Sequence, residues 1–177
     1  TSPRKIEKNE LKYNLPLSYQ QRRMWFLSHL SKGQGLYNID YSFDMDEFVN
    51  IDALNKAFRS VIERHEILRT TYSIADNGEP VQNILSEQQF NITQLGDREY
   101  TLDDVDNIID FEKKYDFDLD NEIPIRATIV RLENKIWKLI VVIHHIAFDG
   151  ASELILIKEI DAHYQAEIND EPAPIEE

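Results

Sequence analysis

The chain predicts an α/β (α+β) fold, a two-layer sandwich in which a mixed sheet is flanked by helices. Three observations carry this. Segments of helical and strand periodicity alternate along the chain. One helix shows its apolar residues on a single face, with Ile51, Leu54, Phe58, Val61, Ile62 and His65 at three- and four-residue spacing. One strand, from Leu139 onward, is apolar on both faces, which suits a central strand covered on two sides.

The elements follow in order. The first thirteen residues are polar and mildly basic and read as a leader. Ser18 with Gln21 has capping-box spacing and opens a helix through "YQQRRMWFLSHL", which Gly33 and Gly35 end. "YNIDYSFDM" reads as a strand, and the amphipathic helix from Ile51 follows. "LRTTYSI", the turn Asp76-Asn77-Gly78 and "PVQNIL" make a hairpin. Thr101 to Asp104 starts another helix through Val105, Ile108 and Ile109. "PIRATIVRL", "ENK" and "IWKLIVVIHHIA" form a second hairpin, and Ser152 to Tyr164 a last helix. Residues 167–177 contain five acids, two prolines and no base, which predicts a linker or tail. The organisation is therefore a leader (1–13), one globular unit (14–166) and an acidic tail (167–177). In the amphipathic helix His65 is expected in the core, as are Met24, Leu27 and Leu30 in the first.

Bulk properties exclude several functions. The 177 residues include 19 basic and 33 acidic side chains, a net charge of -14. Nucleic acid and anionic membrane, which need a basic surface, are not expected partners. Without cysteine there is no disulfide framework, thiolate metal site or cysteine nucleophile. No stretch approaches the ~20 apolar residues of a membrane span, and the first residues lack a signal peptide's apolar core. Cytoplasmic is the expected location.

Chemistry is concentrated in "HHIAFDG", His144 to Gly150. Successive strand residues point to opposite faces, so His144 should share a face with Ile140 and Val142, and His145 the other with Val141 and Ile143. That disfavours a metal held by both, since a strand chelates through an i, i+2 pair. Two readings remain open on physical grounds: hydrogen-bonded core histidines, or a site at a strand end, where α/β proteins place theirs. No G-x-S-x-G elbow or glycine-rich phosphate loop is present. Any reaction would use a histidine base without an enzyme nucleophile, which fits transfer of an already activated acyl group.

"HHIAFDG" resembles the HHxxxDG signature of the condensation domains of nonribosomal peptide synthetases, relatives of chloramphenicol acetyltransferase. "LSYQQRRMWFL" (Leu17 to Leu27) is similar to that family's opening motif. "RHEILRTTY" (Arg64 to Tyr72) is similar to its RHExLRTxF motif, with Tyr72 for phenylalanine. Gln20 stands where the family usually has alanine, and Ala151 where it often has tryptophan. All three motifs belong to the first of the family's two lobes, so the resemblance covers the chain but half of the domain.

The resemblance implies a chloramphenicol acetyltransferase-like lobe. In the two-lobed domain a carrier-bound aminoacyl amine attacks a carrier-bound acyl or peptidyl thioester, forming an amide. It implies His145 as general base or orienting group, and structural roles for His144 and Asp149. An Asp149–Arg69 ion pair, a packing role for Arg23, and close backbone approach at Gly150 are also implied. No metal or directly bound cofactor is implied; substrates would arrive on 4′-phosphopantetheine arms of upstream and downstream carrier proteins, beside a second lobe and an adenylation domain. The alternatives are an epimerization lobe, an acyl-CoA-type acyltransferase lobe and a non-catalytic docking or scaffold module. A heterocyclization domain is disfavoured, because its signature has aspartate for the first histidine.

Overall fold

The computed structural model describes residues 11–30, 35–86, 89–96 and 98–172. Its elements are β1 (Leu15–Pro16), α1 (Tyr19–Leu30), β2 (Asn38–Met45), α2 (Ile51–Arg64), a 3₁₀ turn (Glu66–Arg69), β3 (Thr70–Ile74), β4 (Pro80–Ile84), β5 (Thr93–Gln94), α3 (Leu102–Lys113), β6 (Ile125–Arg131), β7 (Trp137–His144) and α4 (Glu153–Asn169). A four-stranded mixed sheet has the order β2-β7-β6-β5, parallel only at β5–β6. A separate antiparallel sheet has the order β1-β4-β3.

Both predicted helix caps close as capping boxes. The Ser18 N–H donates to Gln21 (2.8 Å) and the Gln21 N–H to Ser18 Oγ (3.2 Å). Thr101 and Asp104 exchange the same pair of bonds at the start of α3. The strand predicted from Leu68 starts at Thr70, because Glu66–Arg69 takes one 3₁₀ turn. α4 runs to Asn169, three residues into the segment read as tail, and Asp170 ends it in the left-handed region. Residues 1–10 of the leader, Gly33, and residues 173–177 of the tail lie outside the described residues.

The central strand is where its sequence put it. β7 lies between β2 and β6, with Leu139 to Ile143 all buried. On one face Val141 and Ile143 join Leu54, Phe58, Val61 and Ile62 of α2 and Leu156 of α4. On the other, Ile140 and Val142 join Trp25 of α1, Tyr72 of β3, Phe117 and Leu119. The amphipathic period of α2 thus fixes which sheet face it covers. Leu30, expected in the core, is 70% exposed at the end of α1, and Met24 is half-buried beside Trp25. His65 is the C-cap of α2, not a residue of its apolar stripe; it is half-buried and its Nε2 meets Glu159 Oε2 on α4 at 2.5 Å.

Ahead of β2, Gly35 adopts φ +55° against the end of α3, where a Cβ would come within 2.5 Å of the Lys113 carbonyl oxygen and 2.6 Å of Lys114 Cα. Only glycine fits there. That approach lets Asn38 Nδ2 donate to the carbonyls of Lys113 (2.9 Å) and Tyr115 (2.7 Å), which sets the floor beneath His144. Among the described residues no helix is long and apolar enough to cross a membrane.

Candidate active site

The sheet delivers His144 and the turn delivers His145. β7 ends at His144, which pairs with Asn38 of β2. His144 lies on the Ile140 and Val142 face as the alternation requires. It is buried, edge-on to the Phe117 ring (6.1 Å between centroids) and near the Tyr37 ring (6.4 Å). Its Nδ1 accepts from the Ile146 N–H at 3.1 Å, so a neutral ring carries its proton on Nε2. Burial, with a smaller effect from His145, pulls its pKa down to about 4.

His145 is exposed and already beyond the strand. Its own N–H donates to the Tyr37 carbonyl (2.7 Å). Its Nδ1 lies 2.6 Å from the Phe148 carbonyl oxygen. A carbonyl oxygen only accepts, so in the neutral ring Nδ1 carries the proton and Nε2 the lone pair. The acceptor is held rigidly, because Phe148 is buried in the α2/α4 core while Ile146 and Ala147 are buried in the core on the other face. Three residues of the turn are thus anchored and the histidine between them and the strand is presented outward.

The same packing explains why three separated motifs converge. Ile146 and Ala147 share a cluster with Trp25 from "LSYQQRRMWFL" and Tyr72 from "RHEILRTTY". Burial pushes the Tyr72 phenol well above its ordinary pKa.

The expected Asp149–Arg69 ion pair does not form. Asp149 is exposed, and its Oδ1 accepts from Ser152 Oγ (2.7 Å), the Ser152 N–H (3.0 Å) and the Ala151 N–H (3.1 Å). These bonds, the Ser152 hydroxyl foremost, hold its carboxyl below the usual range. With three local donors the carboxylate needs no distant cation. Arg69 instead donates to the carbonyls of Glu63 and Leu85 and meets Glu66 Oε1 at 3.5 Å, tying the 3₁₀ turn to the hairpin. Arg23 is exposed on α1, with no hydrogen bond or ion pair to another described residue. Gly150 is exposed and an added Cβ would meet nothing within 4 Å, so no backbone approaches it closely. Among the described residues no group of three or more His, Cys, Asp or Glu side chains is arranged to hold a metal ion.

Residues that sequence reasoning did not single out include Phe148, whose carbonyl fixes the His145 tautomer, and Ser152, whose hydroxyl replaces Arg69 as the partner of Asp149. A serine three residues after an aspartate and just before a helix was the available signal.

The condensation-domain family model matches residues 12–177 of this chain. The chain belongs to the condensation-domain family. Among curated relatives, bacitracin synthase 2 of Bacillus licheniformis is 35% identical over 164 residues, covering 90% of this chain and 6% of that protein. The isonitrile lipopeptide synthase of Mycobacterium tuberculosis is 32% identical over 152 residues, covering 85% and 6%. Among solved structures, the X-domain in complex with OxyB from teicoplanin biosynthesis superposes with a TM-score of 0.83 at 26% identity, over 97% of this chain and 36% of that one. The starter condensation domain of rhizomide synthetase shares the fold, with a TM-score of 0.79 at 17% identity over 91% and 40%. This condensation-family chain therefore spans a few per cent of the synthetases it matches, and well under half of each structure.

The buried first histidine of the family motif makes a testable demand on stability. With a folded pKa near 4 and an unfolded value near 6.5, only the unfolded state takes up this proton between those limits. Its effect is absent above about pH 6.5. As pH falls from there towards 4, stability should drop by up to ~1.4 kcal/mol per pH unit from this residue alone. Comparing pH-dependent melts of wild type and His144→Gln measures it; equal slopes in that window would rule it out.

Proposed function

We propose that the chain is the first lobe of a peptide-synthetase condensation domain and that the assembled domain forms an amide bond. The reading rests on His145, exposed, with Nδ1 committed to the Phe148 carbonyl and Nε2 free to accept a proton. In the step it would serve, the acceptor amine nitrogen attacks the donor thioester carbonyl. The C–N bond forms and the C–S bond breaks; the amine's surplus proton passes to Nε2, and the imidazolium returns it to the departing thiolate, which leaves as the thiol. Holding both substrates in register contributes as well. His144 and Asp149 act by shaping the turn.

Donor and acceptor would come on 4′-phosphopantetheine arms of upstream and downstream carrier proteins, next to an adenylation domain, in the cytoplasm, with no metal or bound cofactor. The second lobe would complete the channel.

A condensation assay with loaded donor and acceptor carriers tests this, comparing the 177-residue chain with the intact synthetase. Amide should form only with the intact protein. Turnover by the chain alone, near the intact rate, would overturn the two-lobe reading. An intact protein indifferent to loss of His145 would favour a docking module.

A further inference from the structure

Asn38 sits directly across the sheet from His144, on the same face. The His144 N–H turns away from β2 to the Pro124 carbonyl (2.9 Å), while the next N–H, that of His145, turns towards Tyr37. Asn38 and His144 are therefore a non-hydrogen-bonded pair, the kind that brings facing side chains closest. The partners of the Asn38 amide settle its orientation. One end faces the carbonyls of Lys113 and Tyr115, which only accept, so that end is Nδ2 and the other is the oxygen. This oxygen, Oδ1, is buried and has no hydrogen-bond partner among the described residues. Buried acceptors in native proteins find a donor, from protein or from water.

The surroundings name the donor. Asn38, Tyr115, Phe117 and His144 line one small cavity. His144 uses Nδ1 to accept from the Ile146 N–H, so the polar group it has left is Nε2–H. The cavity measures about 10 Å³, room for a single water. We propose that one water bridges His144 Nε2–H and Asn38 Oδ1, accepting from the first and donating to the second, and that Asn38 is thereby a positioning residue for the base.

The bridge selects the tautomer that leaves Nδ1 open to the Ile146 N–H. In the other tautomer two N–H groups would confront each other across 3.1 Å, and the turn would open. That turn carries Phe148, whose carbonyl holds His145 Nδ1–H. Asn38 thus acts on the proton-accepting Nε2 of His145 through His144. Its amide is aimed by the last carbonyls of α3, which the glycine at position 35 lets approach. The positioning role rests on the acyl-transfer reading above; the water bridge stands without it.

Asn38→Ala and Asn38→Asp separate the bridge from the tie to α3, because both lose the Nδ2 donors and only aspartate keeps an acceptor. Long-range ¹H–¹⁵N spectra of the 177-residue protein at pH 8, where His144 is neutral, read its tautomer. Wild type and Asn38→Asp should hold the proton on Nε2, and Asn38→Ala should show a mixture. In the intact synthetase Asn38→Ala should slow amide formation by roughly 10–100-fold through the displaced base, and Asn38→Asp should recover most of it. If Asn38→Ala does not fold, the wild type decides: its His144 Nε2 proton should give a rotating-frame Overhauser contact to a bound water. An unchanged tautomer in Asn38→Ala, the same mixture in both variants, or an Nε2 proton without that contact would overturn the bridge. A shifted tautomer with an unchanged rate would remove the positioning role. A wild-type synthetase that forms no amide would remove the acyl-transfer reading and leave the bridge in place.

Discussion

His145→Ala in the intact synthetase should lower the rate of amide formation by about 10²–10⁴-fold, the usual contribution of a positioned general base. The thermal midpoint should move by no more than a few degrees. The side chain is exposed and its one hydrogen bond runs to a backbone carbonyl, so its loss removes a net ~0.5–1.5 kcal/mol at most. His144→Ala should do the opposite to stability, since that ring fills space between Phe117 and Tyr37. The decisive comparison is single-turnover amide formation alongside melts of both variants. Undiminished turnover by His145→Ala would remove it as the base, and a large stability loss there would show that the two roles had been exchanged.

The second large effect lies away from the histidines. Glu112 is buried on α3, with Oε2 3.0 Å from Arg126 Nε and Oε1 3.4 Å from the second guanidinium nitrogen. The shorter approach is an ion pair whose N–H is poorly aimed at the oxygen; the longer one is the aligned hydrogen bond. The guanidinium also lies 3.7 Å over the Tyr115 ring. Removing one partner of such a pair strands the other charge, at a cost of about 3–5 kcal/mol. Glu112→Ala should therefore lower the melting midpoint by roughly 6–20 °C, at ~2–4 °C per kcal/mol for a chain of this size. Arg22→Ala, which removes the exposed pair with Glu79, should change it little. Replacing both Glu112 and Arg126 by leucine should recover much of the loss. A midpoint for Glu112→Ala within about two degrees of wild type would exclude the pair as a support of α3.

What was legible in the sequence was what periodicity and short-range chemistry control. The apolar stripe of α2, the Ser18–Gln21 capping box, the helix start at Thr101 and the inward setting of His144 needed only local rules. His145, read as the next strand residue, lies past the end of β7 and is set by the turn. Contacts that depend on where distant segments meet were not legible. Asp149 and Arg69 each sit in a recognisable motif, yet Asp149 is satisfied within three residues and Arg69 turns to its own hairpin. The buried ion pair of the molecule's α3 face involves Glu112, one of several acids along a polar helix, whose burial depends on Arg126 arriving from β6. The open edge of the four-stranded sheet was equally hidden. The alternation of Tyr41, Phe43 and Met45 suggests a covered face, and only the sheet order shows that β2 is an edge with its cover incomplete.

The closure of the α2/α4 layer has a consequence for how the chain is made. Its cross-links join residues far apart: Lys56 to Glu167 spans 111 positions, and the Asn50 N–H to the Tyr164 hydroxyl spans 114. β2 likewise waits for β7, with Asn38 opposite His144. At ~5–20 residues per second of synthesis, the apolar face of α2 leaves the ribosome roughly 5–20 s before its cover exists. During that interval Leu54, Phe58, Val61 and Ile62 have no native partner on α4 or β7, and pairing at such sequence separation is slow to nucleate. Folding of this unit therefore waits for the arrival of α4, and until then the nascent α2 stripe is an apolar surface open to a ribosome-bound chaperone.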